Sequence, residues 1–181
     1  QDITVVSEDM GGGFGMRTSP YSEEVALCQA AMKVDRPLRW TATRNETVVG
    51  DLAARGQETQ ACLALDADGR ILGLKVHTRA DIGCYTTGYG PGVAVMLYSP
   101  LTPNIYRLPC LFTEIDSVLT NTSPTAPYRG AGRPEAVYLM ERLMDQAAEQ
   151  LGIDPLEIRK RNLIARDALP YTTPTGLTYD S

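Results

Sequence analysis

The sequence predicts an α+β fold, close to α/β, with a mixed sheet, one β-hairpin and about three helices. Two predicted strand segments flank an Asp-Ala-Asp-Gly turn, which is typical of a hairpin. Apolar residues recur at helical spacing in two other segments, and an Asp-Pro-x-Glu sequence caps a third helix. Strands that alternate with helices favour α/β or α+β, and the hairpin argues against a purely parallel sheet.

The first third of the chain is predicted to contain a strand and a helix. Residues 3–6 are a short β-branched run, as in a strand. Ser-Pro at residues 19–20 is typical of a helix start, and Asp-Arg-Pro at residues 35–37 is typical of an end. Residues 38–43 and 46–49 are expected to be extended. The apolar face of the helix is Tyr21, Val25, Cys28 and Met32.

The hairpin and a further strand are predicted next. Residues 59–65 and 71–79 flank the Asp-Ala-Asp-Gly turn. Residues 82–106 are rich in Gly, Pro and Tyr without a sustained period, so we expect irregular structure there. Residues 112–119 are predicted to form a strand, followed by a loop at residues 120–132.

Two helices are predicted towards the end of the chain. Arg133-Pro134 opens the first, and Gly152 ends it. Asp154 caps the second, which reaches about residue 162. The basic run at residues 159–161 is expected to lie on a solvated face. The apolar face of the first of these helices is Ala136, Met140, Leu143 and Ala147.

The composition excludes several classes of protein. A hydrophobic fraction of 43% and a charged fraction of 22% are globular values, which exclude wholesale disorder, collagen and coiled coil. The net charge is −5, from 17 basic and 22 acidic residues, so we expect no nucleic-acid partner. Every apolar stretch is too short to cross a bilayer, so we expect no membrane partner either.

Cysteine and histidine usage does not indicate a zinc site. The four cysteines are far apart, and His77 is the single histidine, whereas structural zinc needs four ligands. The cysteines are therefore expected to be buried and reduced in a cytoplasmic protein. The chain begins with Gln1, almost directly in a predicted strand, so we expect residues 1–181 to be a piece of a longer protein.

The first glycine loop, residues 11–15, contains four glycines between a predicted strand and a helix. Glycine lets the backbone turn sharply or lets a ligand approach closely, and backbone N–H groups at this place can face an anion. Met16-Arg17 stands where a Walker A loop requires Lys and Ser or Thr, and no GxGxxG spacing fits. The pattern leaves open another kind of anion site or a plain tight turn.

The second glycine loop, residues 126–132, also precedes a helix. It reads Ala-Pro-Tyr-Arg-Gly-Ala-Gly and continues as Arg-Pro-Glu. Arg129 could offer an anion both its N–H and its guanidinium. The alternative is that Arg129 or Arg133 pairs with a carboxylate such as Glu135.

Together the two loops resemble the large subunit of molybdenum hydroxylases, the family of xanthine dehydrogenase, aldehyde oxidase and aerobic carbon monoxide dehydrogenase. The matching stretches are GGGFG at 11–15, YRGAGRPEA at 128–136, RPLRW at 36–40, the hairpin turn, and G-x-D-P-x-E-x-R-x-x-N-L at 152–163. The resemblance runs through essentially the whole chain. It implies that residues 1–181 are a fragment of the molybdopterin-binding domain of a longer large subunit.

The resemblance implies roles for both loops. The first loop would approach a molybdenum–molybdopterin cofactor, in its cytosine dinucleotide form, and N–H groups around Phe14 would serve an oxygen ligand of the metal. The second would pass over the metal; the protein supplies preorganised donors while the cofactor carries the redox chemistry. The implied cofactor-binding residues are Gly11, Gly12, Gly13, Phe14, Gly15, Arg129 and Gly130, and the implied substrate pocket is Phe14, Tyr128, Arg129 and Ala131.

Three departures narrow the substrate that the resemblance implies. Carbon monoxide dehydrogenases carry a cysteine directly after the Tyr-Arg pair, where this chain has Gly130. Xanthine-type enzymes carry an acidic residue where this chain has Thr18, and a large aromatic residue where it has Ala131. The resemblance is therefore to the second, cysteine-less group of carbon monoxide dehydrogenase-like chains, with an aldehyde or an N-heteroaromatic compound as substrate.

The resemblance also implies what other parts of the enzyme supply. Glu114 and Glu135 do not stand in the motif of the family's general-base glutamate, so no catalytic residue and no metal ligand is assigned in this chain. The rest of the large subunit and the iron–sulfur and FAD subunits or domains would be partners, and the isolated chain would be inactive. A phosphate- or nucleotide-binding module and a purely structural or interaction domain are the alternative hypotheses.

Overall fold

The computed structural model describes residues 3–180 and confirms the predicted α+β fold. A three-stranded sheet carries the core, and helices precede, interrupt and follow its strands in the chain. In chain order the elements are a 3-10 turn (Met16–Thr18), α1 (Ser22–Val34), α2 (Arg44–Gly50), β1 (Gln57–Leu65), β2 (Ile71–Gly83), α3 (Gly90–Gly92), a π-helix (Val93–Tyr98), α4 (Ser99–Leu101), β3 (Leu111–Leu119), α5 (Arg133–Leu151), α6 (Pro155–Asn162), a 3-10 turn (Arg166–Ala168), β4 (Tyr171–Thr172) and β5 (Thr178–Tyr179).

Strand β2 is the middle strand of the sheet, which has the order β1-β2-β3. It pairs antiparallel with β1, as the hairpin prediction requires, and parallel with β3, so the sheet is mixed. Asp66 fixes the hairpin turn, because its Oδ1 accepts hydrogen bonds from the N–H groups of Asp68 at 3.0 Å and Arg70 at 2.8 Å. Such bonds to the backbone ahead are the reason that Asp favours turns.

The core is formed by the sheet together with α5 and α6. Met140 and Met144 of α5 are fully buried, as is Val76 of β2. Leu143, predicted on the same helix face, packs against this core while partly exposed, and α6 adds the fully buried Ile158. The buried cluster comprises Ile71, Leu74, Val76, Tyr106, Leu108, Met140, Met144, Ala147, Ala148 and Ile158.

Two predictions for the first fifty residues are wrong. The run at residues 3–6 is not a strand, since no strand of the described chain hydrogen-bonds to it, and its apolar side chains are exposed. Residues 46–49 are not extended but lie in α2. Thr43 and Glu46 explain this helix, because each side chain accepts a hydrogen bond from the other residue's N–H, at 3.3 and 2.7 Å, which is a capping box.

Helix α1 is confirmed, but it begins at Ser22, two residues later than predicted. Tyr21 rather than the predicted serine is the N-cap residue, and its N–H donates to Glu24 Oε2 at 3.0 Å. The predicted apolar face finds no core within the described residues. None of its side chains is buried, and Val25 and Met32 are 49% and 65% exposed.

The irregular structure predicted for residues 82–106 is wrong over residues 90–101, which are helical as α3, the π-helix and α4. Pro91 lies in the first turn of α3, where the missing N–H costs no hydrogen bond, whereas Pro100 of α4 follows directly on the π-helix. The segment buries Ala94 and Tyr98. It is tied to the sheet because the Tyr98 hydroxyl lies 3.2 Å from Thr78 Oγ1 of β2.

One expectation about side chains is wrong, and another holds only in part. All four cysteines are exposed rather than buried, and they are unpaired. In the basic run at residues 159–161, Lys160 and Arg161 are exposed as predicted, but Arg159 is not on the solvated face, since its guanidinium reaches Asp145 and Glu141 of α5, each at 2.8 Å. The hydrogen bond that Arg159 donates to Asp145, followed by the one that it donates to Glu141, raises the pKa of Arg159 above its usual value. Arg159 therefore clamps α6 to α5.

Candidate functional site

The two glycine loops lie against each other. A Cβ atom built on Gly15 would be only 2.7 Å from the carbonyl oxygen of Pro127. The φ angle of Gly15 is 92°, in the left-handed region where side chains are strained. Only glycine allows this approach without strain. The fold thus brings residues 11–15 and residues 126–132 together, although they are far apart in the sequence.

The first glycine loop presents unpaired backbone donors. None of the N–H groups of residues 11–15 donates a hydrogen bond to another described residue. Phe14 has a φ of 52°, which is uncommon for a residue with a side chain, and it is 50% exposed. A Cβ atom built on Gly12 would lie 3.2 Å from the Phe14 ring, so this position leaves little space for a side chain. Such a run of free N–H groups fits an anionic or oxygen-rich ligand.

The second glycine loop is held in a tight turn by its own backbone. The N–H of Ala131 donates to the carbonyl oxygen of Tyr128 at 2.6 Å, and the N–H of Arg133 donates to that of Gly130 at 3.1 Å. The N–H groups of Arg129 and Gly130 find no acceptor among the described residues. This loop therefore also offers free donors.

Helix α5 and the π-helix lie against the second glycine loop. Gly132 precedes α5, and a Cβ atom on it would lie 2.5 Å from the backbone nitrogen of Tyr98. The contact requires glycine both for space and for its φ of 82°. Two side chains of this loop stay accessible to solvent, since Tyr128 is 41% exposed and Arg129 is exposed.

Arg55 is a functional candidate that the sequence did not reveal. Its guanidinium Nη2 donates to the carbonyl oxygen of Arg129, and its Cζ lies 5.2 Å from the centroid of the Tyr128 ring. Its Nε lies 3.9 Å from Glu135 Oε1 at the start of α5. No local motif marks Arg55, because its partner Arg129 is 74 positions further along the chain.

The alternative pairing of Glu135 with Arg129 or Arg133 is not formed. Glu135 faces Arg55 instead, and its side chain is only 9% exposed. A cavity of about 30 Å³ lies beside Glu135 and Thr125. Thr125 Oγ1 and Glu135 Oε2 are both buried without a hydrogen-bond partner among the described residues.

A groove of about 310 Å³ runs between α1 and α2 next to the first loop. Tyr21 links the two helices across it, because its hydroxyl donates to Asp51 Oδ1 at 2.5 Å. Burial, and then this hydrogen bond, raise the pKa of Tyr21 to about 12. Arg17, just after the first glycine loop, and Trp40 also line the groove.

The side chains of the described residues form no evident metal centre. Among residues 3–180, no three His, Cys, Asp or Glu side chains are grouped so as to hold a metal ion. His77 is partly exposed on β2, and its Nε2 lies 2.9 Å from Asp116 Oδ2 of β3, a pair between neighbouring strands. Within the same residues, no helix is both long and apolar enough to cross a membrane.

A protein-family model described as a molybdopterin cofactor-binding domain matches residues 1–163. The matched range contains both glycine loops, Arg55 and the whole of α5.

Several known proteins and solved structures are similar to this chain over almost its whole length. The carbon monoxide dehydrogenase large chain of Hydrogenophaga pseudoflava is 35% identical, over 99% of this chain and 22% of that protein. The nicotine 6-hydroxylase large subunit of Paenarthrobacter nicotinovorans is 30% identical, over 97% of this chain and 22% of that protein. The crystal structure of quinoline 2-oxidoreductase from Pseudomonas putida 86 aligns with a TM-score of 0.90 and 34% identity, over 95% of this chain and 22% of that one. This chain thus spans about a fifth of the length of these relatives.

Proposed function

Because this chain belongs to the molybdopterin cofactor-binding domain family, we propose that its two glycine loops together hold part of a molybdenum–molybdopterin cofactor. The observation that carries the proposal is the contact of Gly15 with Pro127, which brings together two loops that each carry unpaired N–H donors. Free donors of this kind fit a ligand that is rich in oxygen and phosphate acceptors.

The chain would contribute backbone rather than ionised side chains to this site. Gly11, Gly12, Gly13 and Gly15 let the first loop approach the cofactor closely, and the N–H groups around Phe14 would donate to an oxygen ligand of the metal. Arg129 and Gly130 would donate from the second loop. Donors that are already in place need no rearrangement when charge develops on the ligand, which is the protein's part in stabilising it.

Residues next to these donors would line the substrate pocket. Phe14 and Tyr128 offer exposed aromatic surface, and Arg129 offers an exposed guanidinium without an ion pair among the described residues. Ala131 is small and leaves space beside them. Flat aromatic walls and a cation suit an aldehyde or an N-heteroaromatic substrate.

We further propose that the full-length protein is a molybdenum hydroxylase. The net reaction would turn a substrate C–H group and water into a C–OH group, two protons and two electrons, with the redox chemistry supplied by the bound cofactor. The electrons would leave through iron–sulfur and FAD subunits or domains. A glutamate in the rest of the large subunit would act as general base, so this chain alone would be inactive.

Three finer points belong to the same proposal. Residues 1–181 would be one fragment of the molybdopterin-binding domain of the large subunit. The cofactor would be the cytosine dinucleotide form, and the protein would work in the cytoplasm. The related proteins named as large chain and large subunit support the assignment of this chain to a multi-subunit enzyme.

The test is the cofactor content of the full-length protein, expressed with its partner subunits in a host that makes molybdopterin. Elemental mass spectrometry measures molybdenum, and hydrolysis followed by chromatography identifies any released nucleotide. We expect near-stoichiometric molybdenum and cytidine monophosphate. Absence of molybdenum would refute the proposal, and saturable binding of ATP or NAD in its place would support the nucleotide-module alternative.

A glycine variant connects this content to the first loop. A Cβ atom at Gly13 would meet only the Cβ of Arg17, at 4.0 Å, so Gly13→Ala fits within this chain. If the loop touches the cofactor, the variant binds it about tenfold more weakly, as is typical for groups around a metal site. Gly92→Ala is the matched control, since its Cβ would make only an ordinary contact with Met96 Sδ at 3.5 Å. Equal molybdenum in both variants would contradict the role of the first loop.

A further inference from the structure

Arg55 touches the second glycine loop and the helix after it with a single side chain. Its guanidinium donates to the Arg129 carbonyl oxygen, lies over the Tyr128 ring with Cζ 5.2 Å from the ring centroid, and faces Glu135. A planar guanidinium can make these contacts together, because its N–H groups lie in the plane and its faces remain free for an aromatic ring. A lysine ammonium cannot reproduce this geometry.

The backbone around Arg55 is held so that the side chain points at the loop. Arg55 has a φ of 63°, in the left-handed region that costs a residue with a side chain about 1–2 kcal/mol. Ala53 is hydrogen-bonded on both sides, to Pro124 and Ala126, each at 2.9 Å. The carbonyl oxygen of Gly56 accepts from the N–H of Asp81 at 2.8 Å. Neighbouring bonds therefore maintain a conformation that the isolated segment disfavours.

Charge gives Arg55 a second reason to stay in place. Glu135 is nearly buried, and Arg55 is the cation paired with it among the residues that the structure describes. A buried carboxylate that loses its counter-charge is strongly destabilised. The Glu135 carboxylate thus favours the Arg55 position from which the guanidinium reaches the loop.

We propose that Arg55 is a positioning residue for the second glycine loop. By holding the Arg129 carbonyl oxygen and the Tyr128 ring, it fixes the turn in which the N–H groups of Arg129 and Gly130 stay free for a ligand. The proposal rests on the proposed function for the identity of that ligand. The contacts themselves belong to this chain.

The competing explanation is an ordinary surface ion pair. In that explanation only the positive charge beside Glu135 matters, since Arg55 Nε is 3.9 Å from Glu135 and the Arg55 side chain is 35% exposed. That explanation predicts that any cation at this position works equally well. If the plane of the guanidinium positions the loop, a lysine at residue 55 restores the order of the second glycine loop only in part.

The test measures hydrogen exchange at the amides of Ala131 and Arg133, the two N–H groups that close the turn of the second loop. The full-length protein is used without cofactor, as wild type, Arg55→Ala and Arg55→Lys. We expect exchange about tenfold faster in Arg55→Ala and an intermediate rate in Arg55→Lys. Free guanidinium ion at non-denaturing concentration restores slow exchange to Arg55→Ala, which a general loss of stability does not allow.

Arg79→Ala is the matched control. Arg79 is exposed on β2, and its contact with Glu58 is 4.0 Å long, so this variant removes the same charge without removing any of the loop contacts described for Arg55. We expect wild-type exchange at Ala131 and Arg133. Faster exchange in Arg79→Ala equal to that in Arg55→Ala would overturn the proposal.

Further outcomes separate this proposal from the proposed function. Wild-type exchange in Arg55→Lys would overturn the role of the guanidinium, and this variant keeps the charge that Glu135 needs if Arg55→Ala does not fold. A wild-type protein that binds no molybdenum would refute the proposed function and leave the exchange test intact. A molybdenum-binding wild type with unchanged exchange in Arg55→Ala would refute the positioning role alone.

Discussion

Asn162 joins helix α6 to the hairpin turn, and its removal should loosen both. Its Oδ1 accepts from the N–H of Ile71, and its Nδ2 donates to the carbonyl oxygens of Gly69 and Ile158, all at 2.8 Å. Asn162 is only 4% exposed, as is Ile71. Water therefore cannot easily replace the lost partners in Asn162→Ala.

The expected cost of Asn162→Ala follows from these contacts. Each lost hydrogen bond contributes about 1 kcal/mol net, and a buried N–H left without an acceptor costs about 1–3 kcal/mol. The lost bond to Gly69, about 1 kcal/mol, together with the stranded Ile71 N–H, about 2 kcal/mol, gives a local destabilisation of about 3 kcal/mol. At about 1.4 kcal/mol per factor of ten, the turn would open roughly a hundred times more often.

Hydrogen exchange of the full-length protein measures this opening at the hairpin turn and at α6. Asn121→Ala is the control, because Asn121 is exposed in the loop after β3. Exchange in the Asn162→Ala turn that is less than about threefold faster than in the control would refute the reasoning. It would mean that the three bonds contribute little in place.

A charge variant gives the same reasoning a pH dependence. In Asn162→Asp the new carboxylate faces the carbonyl oxygens of Gly69 and Ile158, which disfavours its ionised form and raises its folded-state pKa above the unfolded value. The folded state then binds more protons between these two pKa values, so stability is lost as the pH rises through that window. Protection of the turn should be greater in mild acid than at neutral pH, and a pH-independent loss would contradict this.

Two further predictions concern α5 and the groove beside the first loop. Gly132→Ala should destabilise the start of α5 by about 3 kcal/mol, because of left-handed strain and the clash with the Tyr98 nitrogen. Gly152→Ala is the control, since its Cβ has open space and only its left-handed φ costs about 1 kcal/mol. Equal hydrogen exchange of α5 in both variants would count against the clash. The pKa of Tyr21 is raised from 10.0 to about 12, so the stability that its protonated hydroxyl contributes is complete below pH 10 and is lost as the pH rises towards 12. Tyr21→Phe should remove that loss, and alkaline unfolding curves followed by circular dichroism that are identical to wild type would argue against it.

Local chemistry predicted the elements that carry their own signals. The hairpin follows from Asp66, whose carboxylate organises the turn, and α6 follows from Asp154, whose Oδ1 accepts from two N–H groups at 2.9 and 3.0 Å. The helix at residues 44–50 carried the same kind of signal in Thr43 and Glu46, but its β-branched residues favoured a strand. Capping outweighed β-propensity there.

Elements decided by distant contacts were not predictable in this way. Residues 90–101 contain Gly and Pro, which usually interrupt helices, yet burial of Ala94 and Tyr98 against the sheet makes them helical. The candidate site shows the same division. Both glycine loops are evident in the sequence, whereas their contact and the role of Arg55 depend on pairings that only the folded chain creates.

The two glycine loops of the candidate site differ in how well the helices that follow them are packed. Helix α5, which follows the second glycine loop, buries five residues, whereas α1 and α2, which follow the first loop, bury none among the described residues. Local opening is rarer where more surface is buried. We therefore expect the second loop to act as a preset template and the first loop to close over it last. A bulky ligand could then enter before the Gly15–Pro127 contact forms. The unequal burial of the helices behind the two loops would thus set the order in which the loops and the ligand come together.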